Sequence, residues 1–226
     1  MASPEPPPLR DLLADLATLI DLPPDRPALL ARLPAADLYL QDELQAALHP
    51  TLTRVWSRCG RRGQRLVDAP GDNATVVGFG ALDWRDGSFH GLTAPGRRAA
   101  PFVEQLSALA DRSRARGRAA IVLADNLSIH TPAGSRLVRQ LLAERPDLVL
   151  VYTPAYDPDA NRIEWLWRPT RRAVTHTHRR ARIEDLAADL TQHFADLGRD
   201  PGAVLRHVGS PNTPLPAPDH AVPAAA

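Results

Sequence analysis

Three acidic side chains hold the chemical interest of this 226-residue chain: Asp42 in "DLYLQDE", Asp125 in "AAIVLADNLSIH" and Glu164 in "NRIEWLW". Each falls at the end of a predicted strand or the start of a predicted helix. The first ends an opening strand, the second ends a hydrophobic strand and the third opens a later helix. Carboxylates gathered from such places suit metal-assisted phosphoryl transfer, because magnesium takes oxygen ligands in near-octahedral geometry and keeps several of its waters. Two such ions, about 3.5–4 Å apart, activate an attacking oxygen and stabilise a leaving one, with one carboxylate bridging them. Asp125, on the central strand, is the geometric candidate for the bridge, with Asp42 and Glu164 on either side.

Each acid also has a plainer role. Asp125 and Asn126 suit an Asx turn where the chain leaves the sheet. His130, five residues on, suits a cap or a hydrogen bond. Asn161 and Glu164 have the spacing of a capping box, with asparagine in place of serine or threonine. Asp42 adjoins Glu43 and reads equally well as a surface charge. Arg168, Arg171 and Arg172 follow Glu164 at i+4, i+7 and i+8, on or near one helix face. Trp165 and Trp167 read as helix-packing residues ahead of a base-stacking platform.

The elements that must position these groups follow from periodicity. Residues 37–43 predict a short strand with Leu38, Leu40 and Asp42 on one face. Residues 74–83 predict a second strand, joined through an Asp86-Gly87 turn to a third. A helix ending at Gly117, a continuous apolar strand over 119–125, a helix over 132–146, a strand over 147–153 and two further helices complete the series. The order predicts a mixed sheet with parallel central strands and helices on both faces. Ligands of such sheets collect at the carboxyl ends of the strands. Residues 1–35 read as an arm with short helices, and residues 199–226 as a flexible Pro/Ala-rich tail.

Composition sets the outer limits. All 27 basic residues are arginine, yet the formal net charge is only +1. The arginines come in patches, such as Arg58, Arg61, Arg62 and Arg65, and their planar forks match phosphate oxygens. Cys59 stands alone, which excludes an internal disulfide. No apolar run is long enough for a spanning helix, and the opening residues lack a secretory pattern, so a cytoplasmic location is expected.

Taken together, these segments resemble the ribonuclease-H-like DDE transposases of bacterial insertion sequences related to the Tc/mariner superfamily. The resemblance rests on "DELQAALHPTLTRVW" (42–56) with its downstream tryptophan, on "VVGFGALDWRDG", on "LADNLSIH" and on "PAYDPDANRIEWLW", and covers about residues 36–198. It implies a mixed five-stranded sheet flanked by helices, with Asp42, Asp125 and Glu164 as a catalytic triad holding two Mg²⁺ or Mn²⁺ ions. Asn126, His130 and Asn161 match supporting positions. The resemblance also implies cleavage and strand transfer of DNA at element ends, a TA target dinucleotide and a working homodimer, with Arg61, Arg62, Arg168, Arg171 and Arg172 contacting DNA. Arg162 and Asp157 stand where that family commonly has proline and serine. Residues 1–35 are too few for its helix-turn-helix units, so the expectation is the catalytic half of a split element, whose partner is a separate helix-turn-helix half, or a truncated gene, or a misplaced start. The competing expectation is a catalytically inactive remnant that binds DNA or a transposase subunit as a regulator. A further enzymatic rival is a ribonuclease-H-type nuclease that cuts without joining strands.

Overall fold

The computed structural model describes residues 35–54, 56, 58–60, 72–153 and 161–208. The expected helices of the first 34 residues, Arg61, Arg62, Arg65 and Asp157 lie outside them. Five strands form one sheet: β1 (Ala36–Ala47), β2 (Thr75–Asp83), β3 (Phe89–Ala94), β4 (Ala119–Ala124) and β5 (Leu148–Tyr152). Their order is β3-β2-β1-β4-β5. β1 runs antiparallel to β2 and parallel to β4. The helices are α1 (Ala99–Ala115), α2 (Arg136–Glu144), α3 (Glu164–Val174), α4 (Ile183–Arg199) and α5 (Pro201–Val208), with a 3-10 turn over Ser128–His130. This is the mixed sheet that the residue pattern predicts, with the five strands flanked by helices that the resemblance implies.

The two-residue period of the strands sorts their side chains into two cores. Leu38, Leu40 and Ile121 face one side, where Leu166 and Trp167 of α3, Leu190 and Phe194 of α4 and Val204 of α5 pack on them. Tyr39, Phe79 and Val122 face the other, against Phe102 and Leu106 of α1 and Val138 of α2. β4, "AAIVLA", is buried on both faces, which explains its unbroken apolar run. Gly117 holds φ +69°, the left-handed conformation that ends α1 where the sequence predicts.

Three expectations are corrected. β1 runs on to Ala47, because its antiparallel ladder with β2 continues to the Ala47–Thr75 pair. Asp42 is therefore not at the strand's end. The hairpin turn is longer than the Asp86-Gly87 pair: Asp83 N–H donates to Ser88 O and Gly87 N–H to Asp83 O, with Gly87 at φ +79°. Finally, the flexible tail expected over 199–226 begins with a helix, α5, whose Val204 and Val208 are fully buried. Proline at its first position pre-sets φ for helix entry, a signal outweighed in the sequence by the prolines that follow.

Glycines in the hairpin make room for the rings on α3 and α4. A Cβ on Gly80 would lie 2.3 Å from Trp167 Cη2, and one on Gly91 would lie 2.4 Å from Phe194 Cδ2. Gly80→Ala is expected to cost about 1–3 kcal/mol by overpacking, read as a lower urea midpoint. An unchanged midpoint would mean that the Trp167 ring is not wedged against β2.

Candidate active site: two carboxylates at the strand switch point

β1 leads leftward into the β2-β3 hairpin, whereas β4 leads rightward through α2 to β5, so the crevice at the carboxyl ends of β1 and β4 is the topological switch point of the sheet. The last recorded parallel pair between them is Leu40 with Leu123. Asp42 and Asp125 each lie two residues further along the chain, Asp42 on the face that carries α3 and Asp125 just past the end of β4. Asp42 sits where β1 outruns β4 while still paired with Gly80 of β2.

Glu164 is the first residue of α3 and meets Asp42. The two carboxyl groups share a side-chain hydrogen bond. Burial foremost, then the Glu164 charge, pushes the Asp42 carboxyl up to about 7, although the bond from Trp167 opposes the rise. That bond, Trp167 Nε1–H to Asp42 Oδ2, is 2.6 Å long. A like-charged, oxygen-only pair at a strand-end crevice is the donor set that a hard divalent cation relieves.

The start of α3 is fixed by a bond that replaces the anticipated capping box. Ile163, with no side-chain cap, occupies the N-cap, and Asn161 instead donates from Nδ2 to the Gln41 carbonyl at 2.7 Å. A fully formed cap would satisfy only α3 itself. The observed bond ties the helix start to β1 one residue before Asp42, and so brings Glu164 to the strand.

Asp125 leaves β4 in the anticipated Asx turn, its Oδ1 accepting from Leu127 N at 3.2 Å. The same oxygen binds His130 Nδ1. His130 is 1% exposed, lies over the Phe102 ring with centroids 4.1 Å apart, and brings Nε2 to 2.7 Å from Glu43 Oε1. Glu43 in turn pairs with Arg97 at 3.2 Å. Burial alone would lower the His130 pKa, but its two carboxylate partners hold it at about 9. Burial would raise Asp125, and the bonds from His130 and Leu127 override it and leave it below its ordinary value. The stability gained from the imidazolium is complete below about 6.5 and lost as pH rises through about 9.

The structure therefore brings Asp42 and Glu164 together, while Asp125, just past the end of β4, has its carboxylate turned to His130. Among the described residues no three His, Cys, Asp or Glu side chains converge as a ready-made metal cage. Asn126 is exposed in the turn, and Arg168, Arg171 and Arg172 are exposed along α3. Two partners escaped the sequence reading. Trp167 is a core residue, as expected, but its indole N–H also holds Asp42. Glu43 looked like a duplicate of Asp42, yet the pleat sends it to the opposite face, where it meets His130.

Comparison with known proteins identifies the family and the fold. The family described as DDE superfamily endonuclease matches residues 37–187. The "Insertion element IS630 uncharacterized 39 kDa protein" of Shigella sonnei is 27% identical over 159 residues, covering 70% of this chain and 44% of that protein. The chain thus spans less than half the length of this relative. Among solved structures, the Mos1 transposase paired-end complex with left transposon end superposes with a TM-score of 0.51 at 19% identity, over 92% of this chain and 65% of that one. The Mos1 mariner paired end complex with Mn gives 0.52 at 19% identity, over 92% and 64%. These structures share the fold. Among the described residues, no helix is long and apolar enough to cross a membrane.

Proposed function

Because the chain belongs to the DDE superfamily endonucleases, we propose that it is the catalytic domain of an insertion-sequence transposase, cutting DNA at the element's ends and joining the freed 3′ ends to target DNA. The observation that carries this reading is the Asp42–Glu164 pair at the β1/β4 crevice. Asp42 from β1 and Glu164 from α3 would hold divalent Mg²⁺ or Mn²⁺, and Asp125 from the end of β4 completes the proposed triad, for two ions in all. When bound, such ions supply Lewis acidity to the attacking and leaving oxygens of the phosphodiester.

The chain's own groups prepare that site. The Trp167 indole fixes the Asp42 carboxylate, the Asn161 bond to β1 sets the distance of Glu164, and His130 with Glu43 orients Asp125. Arg168, Arg171 and Arg172, with Arg61 and Arg62, neutralise phosphates of the approaching DNA, so affinity falls steeply with salt. Asn126 is assigned a supporting role in the turn beside Asp125. The working form is a homodimer in the cytoplasm, with a separate helix-turn-helix half reading the element's ends.

The test is a plasmid assay. With Mn²⁺ the protein is expected to nick supercoiled DNA and to join a labelled 3′-hydroxyl end into it, and to do neither in EDTA. Nicking without joining would indicate a nuclease of the same fold. DNA binding with no metal-dependent nicking would indicate an inactive, DNA-binding or subunit-binding remnant and overturn the reading.

A further inference from the structure

Beyond the carboxylate pair, a cleft of about 600 Å³ opens between the segment that follows β1 and the C-terminal half of α3. Its walls include Arg54, Trp56, Arg168, Arg172, His176 and Thr177. Two backbone bonds clamp the walls together, Thr51 N–H to Thr175 O at 3.0 Å and Thr177 N–H to Thr51 O at 3.1 Å. The second is made by a threonine held at φ +52°, a conformation that β-branched residues rarely adopt. The cleft is thus held open by a specific backbone arrangement at the cost of local strain.

Its lining is unusual for this molecule. Trp84 and Trp167 are buried, whereas Trp56 is fully solvent-exposed. Around that bare indole stand three guanidiniums, Arg54, Arg168 and Arg172, with no acidic residue among the described residues of the wall. Aromatic faces that stack bases, interleaved with cations that take phosphates, make the combination that binds single-stranded nucleic acid. Duplex DNA offers phosphates to the guanidiniums but keeps its bases stacked away from the indole. A single unpaired nucleotide satisfies both, and the volume lies within the range of small-ligand clefts.

We infer that this cleft binds one unstacked nucleotide of the DNA substrate, its base on the Trp56 indole and its flanking phosphates on Arg54, Arg168 and Arg172. The inference rests on the reading of DNA as the substrate, and it places the captured nucleotide along the same helix that carries Glu164. A transposase with such a cleft would draw one base out of the duplex beside the cutting site, pulling the adjoining phosphates towards the carboxylates.

The experiment uses the full chain in EDTA, so that no cutting intervenes. Binding is measured by anisotropy to two probes, a fully paired duplex and the same duplex with one unpaired 2-aminopurine nucleotide. The wild type is expected to prefer the unpaired probe by about tenfold and to quench its fluorescence by stacking. Trp56→Ala should weaken binding to that probe by roughly 5- to 100-fold with little change for the paired one, and Trp56→Phe should retain most of the preference. No preference in the wild type, or equal loss on both probes in Trp56→Ala, would overturn the inference. So would unchanged DNA binding together with a loss of dimer in sedimentation, which would assign Trp56 to an interface between two copies. Failure here leaves metal-dependent nicking intact as a separate readout, and loss of nicking with the preference retained would fault only the catalytic reading.

Discussion

Asp42→Asn is expected to reduce metal-dependent nicking by about 10³-fold or more, the loss of several kcal/mol of charge stabilisation at the phosphodiester, while making the protein more stable at pH 8. The two effects have one origin. Asp42 is held up to about 7 by burial and by the Glu164 charge. A carboxyl whose pKa is raised on folding binds its proton more tightly in the native state, so it destabilises the fold progressively as pH rises from about 4 to about 7. Asparagine keeps an oxygen for the Trp167 bond and has no charge to repel. The gain should be roughly 2 kcal/mol above pH 7 and vanish below pH 4. Added Mn²⁺ should raise the melting temperature of the wild type and leave Asp42→Asn nearly unmoved, since binding to the native state stabilises it by mass action. Wild-type nicking in Asp42→Asn would end the catalytic assignment. A variant less stable at pH 8 would show that the carboxylates do not repel.

The second large effect lies at the opposite pole of the sheet. Asp37 and Asp83 have fully buried side chains, and Arg116 Nη1 binds both, at 3.1 and 2.7 Å. Its Nη2 reaches Asp86 at 3.2 Å. Arg85 and Arg118 also contact Asp37, and Ser113 Oγ donates to it at 3.1 Å. Asp83 takes its ion pair from Arg116; burial raises it and the Arg116 bond pulls it back. Arg116→Met should therefore leave a buried carboxylate uncompensated and cost about 3 kcal/mol, or roughly 6–12 °C in melting temperature. Arg118→Met, which removes one of three cations on Asp37, should cost under about 1 kcal/mol. Asp83→Asn in the Arg116→Met background should recover much of the loss, because the stranded charge is then gone. If the two arginine variants melt alike, the clip does not depend on the Asp83 bond. Nicking per folded molecule should be unchanged in either, since the clip joins the amino ends of β1 and β4 and the candidate site lies at their carboxyl ends.

Legibility followed the range of the interactions. The strand over 119–124 could be read from its apolar run, and the end of α1 from Gly117, because both depend on residues within a few positions. α5 could not, since Val204 and Val208 declare themselves core residues only once α3 and α4 are packed beside them. The capping box was a sound local reading of Asn161 and Glu164, but the Gln41 carbonyl, 120 residues earlier, captured the asparagine instead. His130 looked solitary because its two carboxylate partners lie on separate strands, and Glu43 was masked by its neighbour Asp42.

The sequence by itself determined the alternation of strands and helices, the two-faced burial of the central strand, the family resemblance and the three acids at issue, all properties carried by residue type and short-range period. Tertiary structure alone decided which carboxylates meet. It pressed Asp42 against Glu164 under the Trp167 indole, turned Asp125 to His130 and left Trp56 bare over a cationic cleft. The physical reason is that charge repulsion, desolvation and hydrogen bonding act over a few ångströms of space, whatever the separation along the chain.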